Sequence, residues 1–477
     1  MSPDGNQHRV VGLGGALAIV AGSMLGIGIF LIPHVVAGLL HTPGWFLGAW
    51  LLGGLIALSG AVAYAELGAM FPRAGGDYVF LRESFGRSTS FACGWVLFAG
   101  VFTGSIATIA VPVCQYQLPA LLAPWTDFDL TLPLQLAGLS LPLTGTQAAA
   151  MALVLLFTLI NVLGAKPAAQ VQLVVTVVPI AVLAVAGVVI LATGPHATAV
   201  QTTAATPTEG PPLLALVRAT LAIYFAYAGW NAIGYVGGEV RDPNRTIPVA
   251  LVGGTLLIAG LYLLMCAAFI AVLGMGGLET AFEAGTATAS AFAGPTASFI
   301  ITVMIAMALV GSLNGTILGG ARISWAMARD GALWSGFARV DERTGTPARA
   351  LWFQAAMSCA LIMSGTFQQL IDLTSIAMLL IGGLTVVSLF MLRARRPNVE
   401  RPYRAHLYPW LPGFYLVVCV GVVLVSVTEV IRGALDGSDF QHLLPLLGLG
   451  IFGAAWLGHR ALVRPTDADA TSDGLTR

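Results

Sequence analysis

Two short stretches carry residue types that could hold a small charged molecule without a metal or a nucleophile. The first is Gly22–Ser23–Met24–Leu25–Gly26–Ile27–Gly28. The second runs from Phe225 through Ala226, Ala228, Gly229 and Asn231, then closes on Gly237, Gly238 and Glu239. Both lie inside apolar runs. Glycine in a helix interior costs ~1 kcal/mol relative to alanine, so three glycines in seven residues mark a place where a helix opens. Backbone groups freed inside lipid must find partners. Amides at the N-terminus of a half-helix favour an anion such as a carboxylate, and freed carbonyls accept from an ammonium group. Together the two sets match an α-amino acid zwitterion. Gly22 and Gly26 alone fit a small-residue packing face; their pairing with the second break favours a binding hinge.

Other chemistries find little support. No His/Asp/Glu cluster and no nucleophile–base spacing occurs, so neither an enzyme nor a resident metal or cofactor is expected. Cys93, Cys114, Cys266, Cys359 and Cys419 sit in apolar runs without a CxxC pair and read as small buried residues. Glu66 and Glu239 stand at the inner ends of apolar segments. A charge at the bilayer centre costs ~3 kcal/mol on insertion scales, so a gating or salt-bridge role is expected of both ahead of proton carriage. Arg241, Asp242 and Arg245 read as a solvated loop, His34 as a packed or interfacial residue, and Arg218 as a snorkelling side chain or an outer-gate partner.

The elements that must position these residues follow from composition. Of 477 residues, 57% are hydrophobic and 9% charged, whereas a soluble domain carries ~25% charged residues. Most of the surface must face lipid. Formal net charge is zero, which offers nucleic acid no attraction. Apolar segments near the ~20 residues needed to span a bilayer fall at about 10–39, 45–71, 88–122, 146–164, 168–193, 213–238, 247–274, 291–326, 350–365, 369–392, 409–432 and 442–461. The expected architecture is an all-α polytopic membrane protein of twelve transmembrane helices, in one domain over residues 1–465. The polar N-terminus lacks signal-peptide organisation, and residues 466–477 read as a disordered tail. All but Arg218 and Arg432 of the 22 Lys and Arg residues fall on one side, which puts both termini in the cytoplasm. Segments 1 and 6 are both long and both broken, and five helices separate them. The halves, 10–193 and 213–392, are therefore expected to be inverted repeats, with 409–461 forming two peripheral helices. Paired breaks at matching positions point to a transporter's binding site.

The hinge GSMLGIGIF, the stretch FAYAGWN…EVRDPNRTIP, SLNGTILGGARISWAMARDG at 312–331 and PRAGGDYVFLRESFG at 72–86 resemble the amino acid–polyamine–organocation (APC) superfamily. Within it they are most similar to the bacterial members of the L-type amino acid transporter (LAT) family, over residues 10 to 405. The resemblance implies a LeuT-type fold of 5+5 inverted helices, with helices 1 and 6 broken, working by alternating access. It implies that amides around Ser23, Met24, Gly26, Ile27 and Gly28 hold the substrate carboxylate. Main-chain oxygens near Ser23, Phe225, Ala226 and Ala228 would hold the amino group. Phe225 matches the aromatic gate, Asn231 faces the substrate region, and Ser105, Ser312 and Asn314 line it.

Departures from that family matter equally. Pro179 stands where many superfamily members place a coupling lysine, which favours exchange or facilitated transport over ion-driven transport. Asn231 and Thr316 stand where arginine–agmatine exchangers carry an acid and a tryptophan. With the uncharged Ile27, Phe225, Ala228 and Asn231, this favours neutral L-amino acids. Residues 117–145 contain no cysteine, so no disulfide-linked heavy chain is expected. The expectation is a plasma-membrane (bacterial inner membrane) amino acid antiporter without cofactor. The other readings are a proton-coupled symporter, a transporter of cationic amino acids or polyamines, and a transporter-shaped sensor.

Overall fold

The computed structural model describes residues 9–122, 131–136, 139–193, 213–364 and 367–435, with residues 453 and 457. Within these residues the chain is mostly helical. The first apolar run forms α1 (Leu13–Met24) and α2 (Gly28–Leu40), parted at residues 25–27. Leu25 leaves helical geometry at ψ 73°. α3 (Pro43–Met70) starts on Pro43, whose missing N–H removes no helical bond in a first turn. Gly75 and Gly76, both at positive φ (121° and 51°), turn the chain into the short α4 (Asp77–Phe85). α5 (Arg87–Leu122) widens into π turns at Val96–Phe102 and Val113–Gln117.

An antiparallel hairpin follows, β1 (Thr131–Leu136) with β2 (Leu139–Thr144), pairing Thr131 with Thr144 and Leu136 with Leu139. This corrects the all-helical expectation. Leucine recurs at every second position from 132 to 136 and from 139 to 143, which is the period of a strand. Thr144 then caps α6 (Gly145–Val162): its Oγ1 accepts from the Gln147 amide, and Gln147 Oε1 accepts from the Thr144 amide at 2.9 Å. α7 (Ala165–Thr193) turns Leu173, Val174, Val177, Val178 and Val185 outward, as a lipid-facing helix should.

The second break separates α8 (Leu213–Ala226) from α9 (Ala232–Tyr235) at residues 227–231. α10 (Pro243–Thr280) and α11 (Ala284–Arg329) each turn sharply at a glycine of positive φ, Gly274 (65°) and Gly294 (78°). Those turns lie close to where the apolar segments end and begin. α12 (Ala348–Ser364), α13 (Phe367–Arg395) and α14 (Trp410–Leu435) complete the described chain. The expected segment 442–461 and tail 466–477 lie outside the described residues. Among those described, eight helices are long and apolar enough to cross a membrane, α1 and α2 counting as one. α8 and residues Trp410–Val425 of α14 are shorter apolar helices.

α3 and α10 pack against the broken helices through aromatic rings. Trp50 of α3 meets Tyr227 and Tyr262 with ring centroids 6.1 and 5.8 Å apart, and Tyr227 meets Tyr262 at 4.9 Å. This buried cluster clamps the unwound residues from one side, leaving the other side to the cavity.

Candidate functional site

The two breaks meet. A Cβ on Gly28 would sit 2.3 Å from Ala226 Cα, and a Cβ on Gly229 would sit 2.5 Å from the Ser23 carbonyl oxygen. Gly229 also holds φ at 97°, a conformation that glycine adopts at little cost. Only glycine lets the two backbones approach this closely. Tyr262 of α10 ties them together: its hydroxyl lies 2.6 Å from Met24 O and 3.2 Å from Ala226 O. Ser312 of α11 adds a hydrogen bond to Ser23 O at 3.3 Å.

Between the breaks lies a cavity of about 110 Å³. Ser23, Met24, Gly26, Ile27, Gly28, Phe225, Ala226, Ala228, Asn231, Ser105 and Ser312 all line it, so the structure brings together every expected contact except Asn314. α2 begins at this wall, and the first amides of a helix have no partner within it. Phe30 and Leu31 already turn their amides back to Ile27 O, at 3.1 and 3.0 Å. The Gly26 amide is taken by Met24 O at 2.7 Å, which removes it from the expected carboxylate set, whereas the Ile27 and Gly28 amides have no backbone partner among the described residues. A site of this kind suits a carboxylate. Ser23 Oγ is buried and has no hydrogen-bond partner among the described residues.

Asn314 corrects the expectation. It is fully buried, donating to Ala168 O at 3.2 Å and Gln172 Oε1 at 2.8 Å and accepting from Asn161 Nδ2 at 2.8 Å. Ser312 and Thr316 share the cavity face of α11 at i and i+4. Asn314, two residues on from Ser312, is turned ~200° away. Pro179 is buried in α7 and does not line the cavity. The side chains of α7 that reach the first broken helix are Gln172 and Thr176, both donating to Ala18 O at 3.4 Å.

Glu66 and Glu239 also lie outside the cavity lining, each in an ion pair. Glu66 is fully buried at the end of α3, with Arg393 Nε at 3.0 Å, Arg401 Nε at 3.2 Å and the Ala405 amide at 2.7 Å. Glu239 accepts from Arg322 Nε of α11 at 2.9 Å. Its carbonyl takes the Val11 amide at 2.9 Å, and Arg241 returns a bond to Val11 O at 2.8 Å. The segment entering α1 is thereby stitched to the chain leaving α9.

Several lining residues escaped the sequence reading, Tyr64, Tyr235 and the charged Asp77 among them. Asp77, at the start of α4, is 1% exposed and forms part of the cavity wall. Four side chains donate to its carboxylate: Tyr64 and Thr385 to Oδ1, Tyr235 and Asn231 to Oδ2. The Thr385 bond is 2.7 Å and the Asn231 bond 3.3 Å. Read as part of a loop motif, Asp77 gave no sign of reaching the broken helices. The only cue was GGDY itself, since two successive glycines at positive φ fold the next residue back into the bundle.

Comparison with known proteins agrees with this geometry. Residues 11–453 match the family described as amino acid permease. The serine/threonine exchanger SteT of Bacillus subtilis is 29% identical over 456 residues, covering 94% of this chain and 97% of that protein. The b(0,+)-type amino acid transporter 1 of Mus musculus is 28% identical over 429 residues, covering 88% and 83%. The large neutral amino acids transporter small subunit 2 of Oryctolagus cuniculus is 27% identical over 421 residues, covering 88% and 76%. A chain whose two broken helices face one cavity, and which matches these transporters along most of its length, belongs to the amino acid permease family of the APC superfamily and is an amino acid transporter.

Proposed function

We infer that this protein moves neutral L-amino acids across the plasma membrane by alternating access, and that it does so by exchange. The observation that carries the reading is the paired break, with α2 amides on one wall of the cavity and the carbonyls of the α8 end on another. The α2 amides hold the cargo carboxylate. Carbonyls near Ser23, Phe225 and Ala228 take the ammonium group, and Phe225, half-buried on the last turn of α8, closes over it. The residues at 10–193 and 213–392 act as inverted halves of a LeuT-type 5+5 repeat. The serine/threonine exchanger among the relatives supports exchange, as does a proline at position 179.

Neutral cargo rests on the lining near the breaks, where Ile27, Ala228 and Asn231 carry no charge. Asp77 does not reverse this, because four uncharged donors already occupy its oxygens. Residues 117–145 hold no cysteine, so no disulfide-linked heavy chain is required. Proteoliposomes loaded with a neutral amino acid should take up labelled L-serine or L-leucine much faster than empty ones, with no dependence on a pH gradient. Equal rates with and without internal amino acid would exclude exchange. Phe225→Ala should cut uptake at least tenfold while leaving the amount of folded protein near normal, as judged by size-exclusion profile; unchanged uptake would remove the gate assignment.

A further inference from the structure

We propose that Asp77 is a positioning residue that fixes the side-chain amide of Asn231, so that the cavity presents an acceptor to the cargo. The proposal rests on reading the cavity as the amino acid site. A carboxylate only accepts hydrogen bonds, whereas an amide has one donor arm and one acceptor arm. Which arm points where is therefore decided by the neighbours. Asn231 Nδ2 lies 3.3 Å from Asp77 Oδ2 and 3.1 Å from the Tyr235 hydroxyl. The Tyr235 hydroxyl gives its own proton to Asp77, so toward Asn231 it too only accepts. Both neighbours demand the nitrogen. The oxygen arm, Oδ1, is left without a protein partner among the described residues, on a side chain that lines the cavity.

Asp77 is held rigidly enough to impose this. Tyr64 of α3 and Thr385 of α13 anchor its other oxygen, and both are fully or almost fully buried. Tyr64 also packs edge-on against Trp230, with centroids 4.7 Å apart, and Phe102 packs edge-on against Tyr235 at 4.9 Å. The hydroxyls cannot swing away without breaking these ring contacts. The main-chain oxygens nearby are already engaged: Ser23 O by Ser312, Ala226 O by Tyr262 and Phe225 O by the Ala228 amide. Each of these carbonyls keeps a second lone pair for the ammonium group, and Asn231 Oδ1, with no protein partner among the described residues, is a further acceptor that the cargo's ammonium takes.

The geometry makes a swap informative. In Asp77→Asn, an amide nitrogen at position 77 would face the nitrogen of Asn231. Asn231 then turns over and shows its donor arm to an ammonium group. In Asn231→Asp, two carboxylates face each other across 3.3 Å. In the double variant Asp77→Asn/Asn231→Asp, the amide introduced at position 77 keeps Tyr64 and Thr385 on its oxygen. It donates to the carboxylate introduced at position 231, and an oxygen still faces the cavity. Uptake of labelled L-serine and L-leucine into proteoliposomes should show KM raised 10- to 100-fold in Asp77→Asn, the worth of one hydrogen bond to a charged group. Maximal rate should stay within about twofold of the unaltered protein, a split that loss of fold would not produce. The double variant should bring KM back near its original value. An unmoved KM in Asp77→Asn, or a folded double variant whose KM stays high, overturns the proposal. Should Asp77→Asn fail to fold, the double variant decides by itself. No saturable uptake by the unaltered protein would instead fail the transport reading and take this proposal down with it.

Discussion

One hydroxyl holds the two broken helices in register. Tyr262 is fully buried, edge-on to Trp50 and tilted against Tyr227, and its proton is shared between carbonyls that belong to different breaks. A buried hydrogen bond contributes ~1 kcal/mol net, and an orphaned acceptor costs more. Tyr262→Phe keeps the ring packing and removes only this tie. The expected result is a small fall in melting temperature in detergent with a several-fold drop in uptake, because the carbonyls lose their fixed aim. A variant with normal uptake would show that the aromatic cluster alone sets the geometry. At this scale the glycines were legible in the sequence, since a break and a close approach both demand them. Ser312 was legible too. Asn314 was not, because spacing gives a helical face only once the helix phase is known, and two residues reverse it. Asp77 was missed because its partners Asn231 and Tyr235 lie 154 and 158 positions further along the chain.

Among the elements, α4 is the piece that apolar patterning does not reveal, being short and half polar. Glu83 pins it to the chain beyond α13 through Arg396 at 3.1 Å and to the turn before α4 through Arg73. Burial alone would raise the Glu83 carboxyl, but the guanidinium groups of Arg73 and Arg396 overcome this and hold it below the usual carboxylate range. A depressed folded-state pKa contributes stability that is present above the unfolded value and lost as pH falls through the folded one. Both arginines are about half exposed, so the contribution is small. Glu83→Gln should therefore lower the melting temperature slightly at pH 7, and the difference from the unaltered protein should close below about pH 4. A gap that persists in acid would mean that Glu83 acts through packing instead. The long helices were legible from their apolar runs, and the turns at Gly274 and Gly294 fell close to where one run ended and the next began. The hairpin at 131–144 was hidden because Pro133, Gln135, Ser140 and Pro142 between the leucines read as loop.

For the whole molecule, charge is the organising variable. The arginine-rich connections, from Arg73 through Arg401, gather at the end of the bundle where Glu66, Glu83 and Glu239 find their partners. The proposed orientation turns this end to the cytoplasm, and a labelling pattern follows. In a Cys359→Ser background, whose remaining cysteines are buried, an impermeant maleimide applied to intact cells should label Thr280→Cys and spare Asn398→Cys, both exposed positions. The reverse pattern would invert the orientation.

On the proposed reading, the cargo's charged ends are held at the breaks by main-chain groups of Ile27, Gly28, Ser23 and Phe225, residues that line the cavity. Alanine scanning leaves such groups in place. A survey of that kind would record Ser23, Met24 and Ile27 as tolerant and would point to Asp77, Tyr235 and Tyr262, which set the frame, as the hot positions. Replacing the amide of residue 27 or 28 by an ester, by nonsense suppression with an α-hydroxy acid, deletes the N–H and keeps the chain. If the proposed carboxylate site is right, that is the substitution to which it responds. On the proposed reading, recognition through main-chain groups constrains side chains little, and the chain is 28% and 29% identical to the two transporters compared.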